Sequence, residues 1–240
     1  MKLLLSADIH GRADWFQFLG EQTADAVLIA GDLIDAELPG DKLPQMLEVT
    51  EWCSLFKGFL ALSSGNHDAN DGDRIWMDAL KRQGVVTDRR SELLKTSAGD
   101  LVITTIPFSF MSSPDPISES LWKAGAALRE ESGAPWIVLH HEPPKETLVG
   151  GILGDGGMFY RILEYCPDFV LSGHIHFQPY RGSFADKLGS TWCFNPGYPD
   201  QRAAVNAPSP NHIVLDLAEK TATWNASSMD GPIKKTVSIE

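Results

Sequence analysis

The sequence predicts an α/β fold, because apolar runs recur along it and each ends in polar residues. Five runs rich in Val, Ile, Leu and Phe have the length and composition of strands buried on both faces of a sheet. They comprise residues 3–5, 27–30, 59–62, 137–139 and 169–171. Short polar segments, which hold six of the seven histidines, follow these runs directly. Because ligands bind at the carboxyl ends of strands in open α/β sheets, these segments mark the expected site.

Helices are expected to alternate with strands in the first third of the chain. The predicted strand and helix pairs, in order, are 2–7 with 15–23, 27–30 with 43–56, and 59–62 with 74–81. Pro44 fits the first turn of the second helix, and Gly84 is a stop signal for the third. This part of the chain therefore predicts parallel strands with helical crossovers.

Shorter elements are expected further along. Apolar runs separated by turn residues predict antiparallel strands between residues 85 and 108. A Ser/Pro loop at 111–116 precedes a predicted helix at 117–131. The remaining elements are a helix around 158–164, a strand at 191–194, and a hairpin of 212–217 with 221–226. Residues 150–157 hold five glycines and are expected to form a mobile loop near the site.

Composition and charge limit the class of protein. A chain of 240 residues that is 43% apolar can bury one substantial core, so we predict a single domain over residues 1–240. The formal net charge of -12 argues against a stable complex with nucleic acid. Cys53, Cys166 and Cys193 show no C-x-x-C spacing, which predicts a reducing compartment and a cytoplasmic location. No apolar run approaches the roughly 20 residues of a membrane span, so no membrane association is expected.

Two pairs of polar residues share one spacing. Asp8 and His10 are two residues apart, and so are His174 and His176. On an extended backbone both members of such a pair point to the same face, so each pair can bind one metal ion.

Three further ligands are expected from the other polar segments. Asp32 offers a carboxylate that can bridge two ions, and Asn66 offers a neutral amide oxygen. Either His140 or His141 supplies an imidazole; strand geometry leaves this choice open, because neighbouring residues on a strand face opposite ways.

The number and type of ligands indicate two metal ions. One ion needs about four to six ligands, whereas these segments offer at least seven. Nitrogen and oxygen donors without thiolates suit Mn, Fe, Zn, Ni or Co. Two such ions, about 3.5–4 Å apart, can clamp the attacking and leaving oxygens of a phosphoryl displacement and generate hydroxide near neutral pH. The reaction class inferred is therefore phosphoryl transfer to water.

The polar segments also form an ordered series of motifs. These are Asp-x-His, Gly-Asp-x-x-Asp at 31–35, Gly-Asn-His-Asp at 65–68, a histidine before Pro-Pro, and Gly-His-x-His at 173–176. The series resembles that of the calcineurin-like metallophosphoesterases, over residues 1–197. The resemblance implies a four-layer α/β/β/α sandwich of two mixed sheets flanked by helices. The 43 residues after Gly197 leave little room for the capping segments of the family's DNA-repair nucleases, so no separate cap domain is expected.

The resemblance also implies how the ligands are shared. The first ion is expected on Asp8, His10 and His176, the second on Asn66, His141 and His174, with Asp32 between them. His141 is chosen because His141-Glu142-Pro143 fits the family's His-x-Pro spacing, whereas His140 is one residue too early. The implied cofactors are two divalent or mixed-valence ions, manganese first, with iron, zinc, nickel or cobalt as alternatives.

Catalytic roles are implied for two further residues. The family places the His67 imidazole over the phosphate, where it would stabilise negative charge and protonate the leaving alkoxide. Asp35 would orient His67 as a carboxylate orients the histidine of a triad, and Asp68 is the weaker candidate for this role. Both acids could instead be turn or helix-cap residues. His212 lies outside every motif and is predicted to be an ordinary surface or core histidine.

The expected activity is hydrolysis. A metal-bridging hydroxide would attack a small phosphomonoester or phosphodiester, and the enzyme would be a monomer or homodimer. The alternatives are a non-catalytic scaffold of the same fold and a nuclease acting on short or exposed nucleic-acid ends. Scaffold relatives usually lack ligands, whereas all seven positions are filled here. Substrate specificity is expected to reside in loops such as 114–116, 150–157 and 198–199.

Overall fold

The computed structural model describes residues 1–68, 75–81, 85–108, 116–199 and 201–240, in which twelve strands form two six-stranded sheets. Numbered in chain order, the first sheet contains β1 (Lys2–Ser6), β2 (Ala26–Ala30), β3 (Phe59–Ser63), β10 (His212–Asp216), β11 (Thr221–Ser228) and β12 (Gly231–Ser238). Their order is β12-β11-β10-β1-β2-β3. The strands β1, β2 and β3 are parallel to one another, whereas the pairs β1–β10, β10–β11 and β11–β12 are antiparallel. The sheet is therefore mixed.

The second sheet is also mixed. It contains β4 (Arg90–Thr96), β5 (Gly99–Thr105), β6 (Trp136–Leu139), β7 (Phe169–Leu171), β8 (Ala185–Leu188) and β9 (Thr191–Phe194). The order is β4-β5-β6-β7-β9-β8, with parallel neighbours from β5 to β9 and an antiparallel strand at each edge.

Helices cover both outer faces. On the first sheet these are α1 (Ala13–Glu21), α2 (Leu43–Leu55) and α3 (Ile75–Lys81); on the second they are α4 (Pro116–Ser132) and α5 (Gly156–Tyr165). Two short helices, α6 (Gln178–Arg181) and α7 (Gln201–Ala204), and a 3-10 turn at Gly151–Leu153 lie in the connections. In the described part of the chain, no helix combines the length and the apolar character that a membrane crossing requires.

Successive residues of a buried strand face opposite sides of the sheet and so belong to different apolar layers. Leu3 and Leu5 of β1 pack into the layer between the sheets, where they meet Ile137 and Leu139 of β6. Leu4, between them in sequence, faces the helices on the outer side. Full burial of one such side chain stabilises the fold by about 1.5–3 kcal/mol. The predicted four-layer α/β/β/α sandwich is confirmed.

The predicted elements agree with the observed ones to within a few residues at their ends, with four differences. The short helices α6 and α7 have no counterpart among the predicted elements. Strands β8 and β12 lack the apolar run that predicts a strand, because both lie at sheet edges. Residues 85–86 form no strand of their own; Val86 makes one isolated bridge to Ala61. The segment 150–157, expected as a mobile loop, contains the 3-10 turn and the start of α5. The predicted loop at 111–115 and the stop at Gly84 lie outside the described residues.

Candidate metal centre

The polar segments that follow β1, β2, β3, β6 and β7 meet at one edge of the two sheets. Backbone hydrogen bonds join them beyond the strand ends. Asp8 N–H donates to Gly31 O over 3.0 Å, and Gly173 N–H donates to His141 O over 2.9 Å. The side chains are therefore positioned by a backbone network that extends the sheets.

The backbone at this edge is not extended, which corrects the prediction for the pair Asp8 and His10 and for the pair His174 and His176. Strand β1 ends at Ser6, and Asp8 and His10 have positive φ angles, of 55° and 49°. Asp32 and His174 are also left-handed, with φ of 53° and 63°. Such conformations cost roughly 1–3 kcal/mol each in a residue other than glycine, and they persist where the surrounding structure imposes them, commonly at functional sites.

One group of candidate ligands consists of Asp8, His10 and His176. The Nε2 atom of His176 lies 3.2 Å from Asp8 Oδ1 and 3.4 Å from His10 Nε2. Asp8 is fully buried, and its Oδ1 accepts a hydrogen bond from His174 N–H, whereas its Oδ2 has no hydrogen-bond partner. A buried carboxylate oxygen without a donor fits coordination to a cation.

A second group consists of Asn66, His141 and His174. Asn66 Oδ1 lies 3.1 Å from His141 Nε2 and 2.8 Å from His174 Nδ1. His141 is fully buried, and its Nδ1 donates to Ala30 O over 2.7 Å. Because Nδ1 carries this hydrogen, the Nε2 lone pair of a neutral His141 is free for a metal ion.

Asp32 lies between the two groups. Its Oδ2 atom is 3.2 Å from His141 Nε2 and 3.8 Å from His10 Nε2. The other oxygen, Oδ1, accepts a hydrogen bond from His67 N–H. The carboxylate is therefore fixed with one oxygen directed at both groups.

The charges in this cluster favour a cation. Burial by itself lowers the pKa of His141, but the nearby charges of Asp32 and Asp8 outweigh it and raise the pKa to about 10. Burial, together with the charge of His141, lowers the pKa of His174 to about 4. Burial opposes ionisation of Asp8, yet His176 and His141 hold its pKa below its usual value. Three oxygen atoms lie within 4.0 Å of His141 Nε2, and a proton or a metal ion has to balance them.

The side chains of the adjacent residues His140 and His141 point in different directions. His141 points toward β2 and into the cluster, as described above. His140 points toward the end of β5, where its Nδ1 lies 3.4 Å from Ile106 O, and its Nε2 lies 3.8 Å from Asp155 Oδ2. Of the two histidines, His141 is the one that lies in the cluster.

His67 lies at the edge of the cluster. Its ring packs edge-on against His10, with ring centroids 4.6 Å apart, and its Nε2 is 4.0 Å from Asp32 Oδ2. Its Nδ1 accepts a hydrogen bond from Ala36 N–H over 2.9 Å. The hydrogen of a neutral His67 is therefore on Nε2, which faces Asp32.

Asp35 contacts His67 differently from the triad arrangement expected above. Its Oδ1 lies 3.3 Å from His67 Nδ1, but the same oxygen accepts a hydrogen bond from Glu37 N–H. The donor to Nδ1 is the backbone of Ala36, which no sequence pattern identifies. Asp35 thus lies beside the imidazole while the main chain sets the tautomer.

A sequence profile of the calcineurin-like phosphoesterase family matches residues 1–178. The chain belongs to the calcineurin-like phosphoesterase family. Membership makes it a relative of metal-dependent phosphoester hydrolases, and the Asp and His side chains described above form a cluster that could hold metal ions. No curated protein matches the chain.

Two solved structures of low identity share the fold of this chain. The protein TT1561 of Thermus thermophilus is 15% identical with a TM-score of 0.60, and the match covers 100% of this chain and 99% of that one. A 5'-nucleotidase from Candida albicans is 12% identical with a TM-score of 0.57. That match covers 100% of this chain and 51% of the nucleotidase, so this chain spans about half of the nucleotidase's length.

Asp68 has a structural role. It is buried, and its carboxylate accepts hydrogen bonds from the backbone N–H groups of Leu33, Ile34 and Gly65. Burial, with the charge of Asp32, raises its pKa to about 7. Asp68 therefore joins the polar segments after β2 and β3, which agrees with its interpretation as a turn residue.

Tyr198 is a neighbour of the first ligand group that the motifs do not identify. Its ring stacks on His176, with centroids 5.0 Å apart and an interplanar angle of 29°, and meets His10 edge-on at 5.2 Å. The sequence predicts only that Tyr198 lies in a loop that affects substrate specificity. It restricts the rotation of both imidazoles.

Gly65 is required by the close approach of two polar segments. A Cβ atom there would lie 2.1 Å from Asp32 Oδ1 and 2.4 Å from Asp32 N. We expect Gly65→Ala to displace Asp32, to lower the free energy of unfolding by about 1–3 kcal/mol and to reduce metal binding. Gly156→Ala is the control, since nothing lies within 4 Å of its Cβ position. Urea unfolding and metal content test this; wild-type values for Gly65→Ala would contradict it.

Proposed function

We propose that this protein is a phosphoesterase with two divalent metal ions, manganese being the first candidate. The observation that carries the proposal is the arrangement of two three-residue ligand groups on either side of Asp32, whose Oδ2 faces both. One ion would be held by Asp8, His10 and His176 and the other by Asn66, His141 and His174.

The donor set fits such ions, because it combines imidazoles, carboxylates and one amide oxygen without thiolates. When bound, the ions would polarise the phosphate and supply hydroxide near neutral pH. The protein's own contribution is to fix the donors. Ala30 O orients His141, and the Asp8 carboxylate is held by His174 N–H.

His67 would act on the leaving group. Its Nε2–H faces the cluster, so it can donate a hydrogen bond to a phosphate oxygen and then transfer the proton to the departing alkoxide as the P–O bond breaks. The hydrogen bond from Ala36 N–H keeps the hydrogen on Nε2 before the reaction.

The proposed substrate is a small or exposed phosphomonoester or phosphodiester. The formal net charge of -12 favours such substrates over long nucleic acids. The three cysteines are free, which is the basis for proposing a cytoplasmic location. We propose one domain over residues 1–240, acting as a monomer or homodimer.

Metal removal and restoration test this proposal. The protein stripped by a chelator is expected to lose hydrolysis of an aryl phosphate and an aryl phosphodiester, and manganese is expected to restore it with at least two ions per chain. Elemental analysis and turnover measure this. One ion or fewer per chain would contradict the two-ion centre, and turnover of neither ester class by the reconstituted protein would favour a scaffold. Cleavage of short oligonucleotides alone would identify a nuclease.

A further inference from the structure

A second group of potential ligands lies next to the catalytic cluster but shares none of its residues. His140, Glu142 and Asp155 each offer one ligand atom, and these atoms all lie within 4.8 Å of one another. His140 and Glu142 follow β6, as His141 does, and Asp155 precedes α5. His140 turns toward Ile106 after β5, whereas His141 turns toward Ala30 at the end of β2.

The backbone brings Asp155 to this place. Asp155 N–H donates to Pro143 O over 2.8 Å, and Lys145 N–H donates to Asp155 O over 3.0 Å, which forms a parallel bridge between residues 144 and 155. Asp155 Oδ1 accepts from Gly157 N–H and caps the N-terminus of α5. The second oxygen, Oδ2, is then directed at His140, at 3.8 Å from its Nε2.

His140 presents a lone pair to these carboxylates. It is only 5% exposed, and because Ile106 O can only accept, the hydrogen of the neutral ring is on Nδ1. Its Nε2 makes no hydrogen bond in the described part of the chain. This nitrogen and the Asp155 carboxylate face each other over 3.8 Å, and a cation between them would bind to both.

The negative charge of the group is also not compensated. Glu142 and Asp155 form no ion pair with a lysine or arginine in the residues that the structure describes.

We propose that His140, Glu142 and Asp155 form a separate site for one divalent transition-metal ion. One imidazole and two carboxylates suit zinc, manganese or cobalt. The site goes beyond the proposed catalytic function, because none of its residues belongs to either of the ligand groups there. Its ion would join the end of β6 to the start of α5 and so hold the intervening segment in place.

Zinc binding to the whole chain tests the proposal. Metal-free wild-type protein and the variants Asp155→Asn and Glu142→Gln are titrated with zinc, and bound zinc is counted after equilibrium dialysis. Asparagine keeps the cap on α5 because it is also a good N-cap residue. Each variant is expected to bind one zinc ion fewer than wild type, or to bind its weakest ion at least tenfold less tightly. The exposed Glu130→Gln is the matched control and is expected to bind as wild type does.

Hydrogen exchange supplies a second measurement. Zinc is expected to slow amide exchange in residues 142–155 of the wild type and of Asp32→Asn, in which the catalytic cluster is altered, but not of Asp155→Asn. Equal zinc stoichiometry and affinity in wild type, Asp155→Asn and Glu142→Gln would overturn the proposal. Because this readout does not use turnover, it is independent of whether the protein hydrolyses phosphoesters.

Discussion

Replacing Asp32 with asparagine is expected to reduce phosphoester hydrolysis by about 10²-fold or more. Mutation of residues that only orient metal ligands costs about 10–100-fold, and Asp32 is proposed to contact both ions directly. Its Oδ2 lies 3.2 Å from His141 Nε2 and 3.8 Å from His10 Nε2, so loss of its charge weakens both halves of the centre. Manganese content is expected to fall together with kcat.

The matched control for this variant is Asp230→Asn, which removes an equal charge from the exposed turn between β11 and β12. It is expected to keep wild-type turnover and metal content. Circular dichroism and urea unfolding establish that Asp32→Asn is folded. If folded Asp32→Asn binds as many manganese ions as wild type, and with the same affinity, Asp32 is not the bridging ligand.

Replacing His67 with alanine is expected to lower kcat by about 10²–10⁴-fold, the usual contribution of a general acid. Manganese content should not change, because His67 belongs to neither ligand group. The loss is expected to be smaller for substrates with good leaving groups, such as nitrophenyl esters, since their departing oxygen needs less protonation. Steady-state kinetics on aryl esters of graded leaving-group pKa, with elemental analysis, measure both effects.

His212→Ala is the control for His67→Ala. His212 lies in β10, where its Nδ1 donates to Pro210 O and its ring packs on Phe18, as expected for a core histidine. This variant is expected to lose stability but to retain kcat. A wild-type kcat in His67→Ala, on a substrate with a poor leaving group, would exclude His67 as the acid.

Asp35→Asn separates the two contacts of His67. If the backbone N–H of Ala36 is what sets the tautomer, this variant should lose no more than about tenfold in kcat, far less than His67→Ala. A loss as large as that of His67→Ala would restore the triad-like role of Asp35. The same kinetic assay distinguishes these results.

Much of the fold follows from local sequence. Strands β1, β2, β3, β6 and β7 are short apolar runs, and their burial on both faces makes them recognisable without tertiary information. The edge strands β8 and β12 could not be recognised in this way, because one or both of their faces contact solvent and their polar residues resemble those of loops.

Side-chain orientation at the site required the tertiary structure. The sequence left His140 and His141 as alternatives by strand geometry, and the packing of the two sheets directs only His141 at Asp32. Asp8 and His10 were expected on an extended strand but have left-handed backbones, which the hydrogen bonds to the segment after β2 impose.

The sequence by itself determined which residue types gather at the carboxyl ends of the buried strands, and therefore the class of chemistry. The apolar runs of buried strands are local patterns, and the order of the motifs can be seen directly in the sequence. The tertiary structure decided which atoms meet, including the hydrogen bond from Ala36 to His67 and the stacking of Tyr198 on His176. These contacts join residues far apart in the chain or involve the main chain, so their geometry depends on how the layers pack.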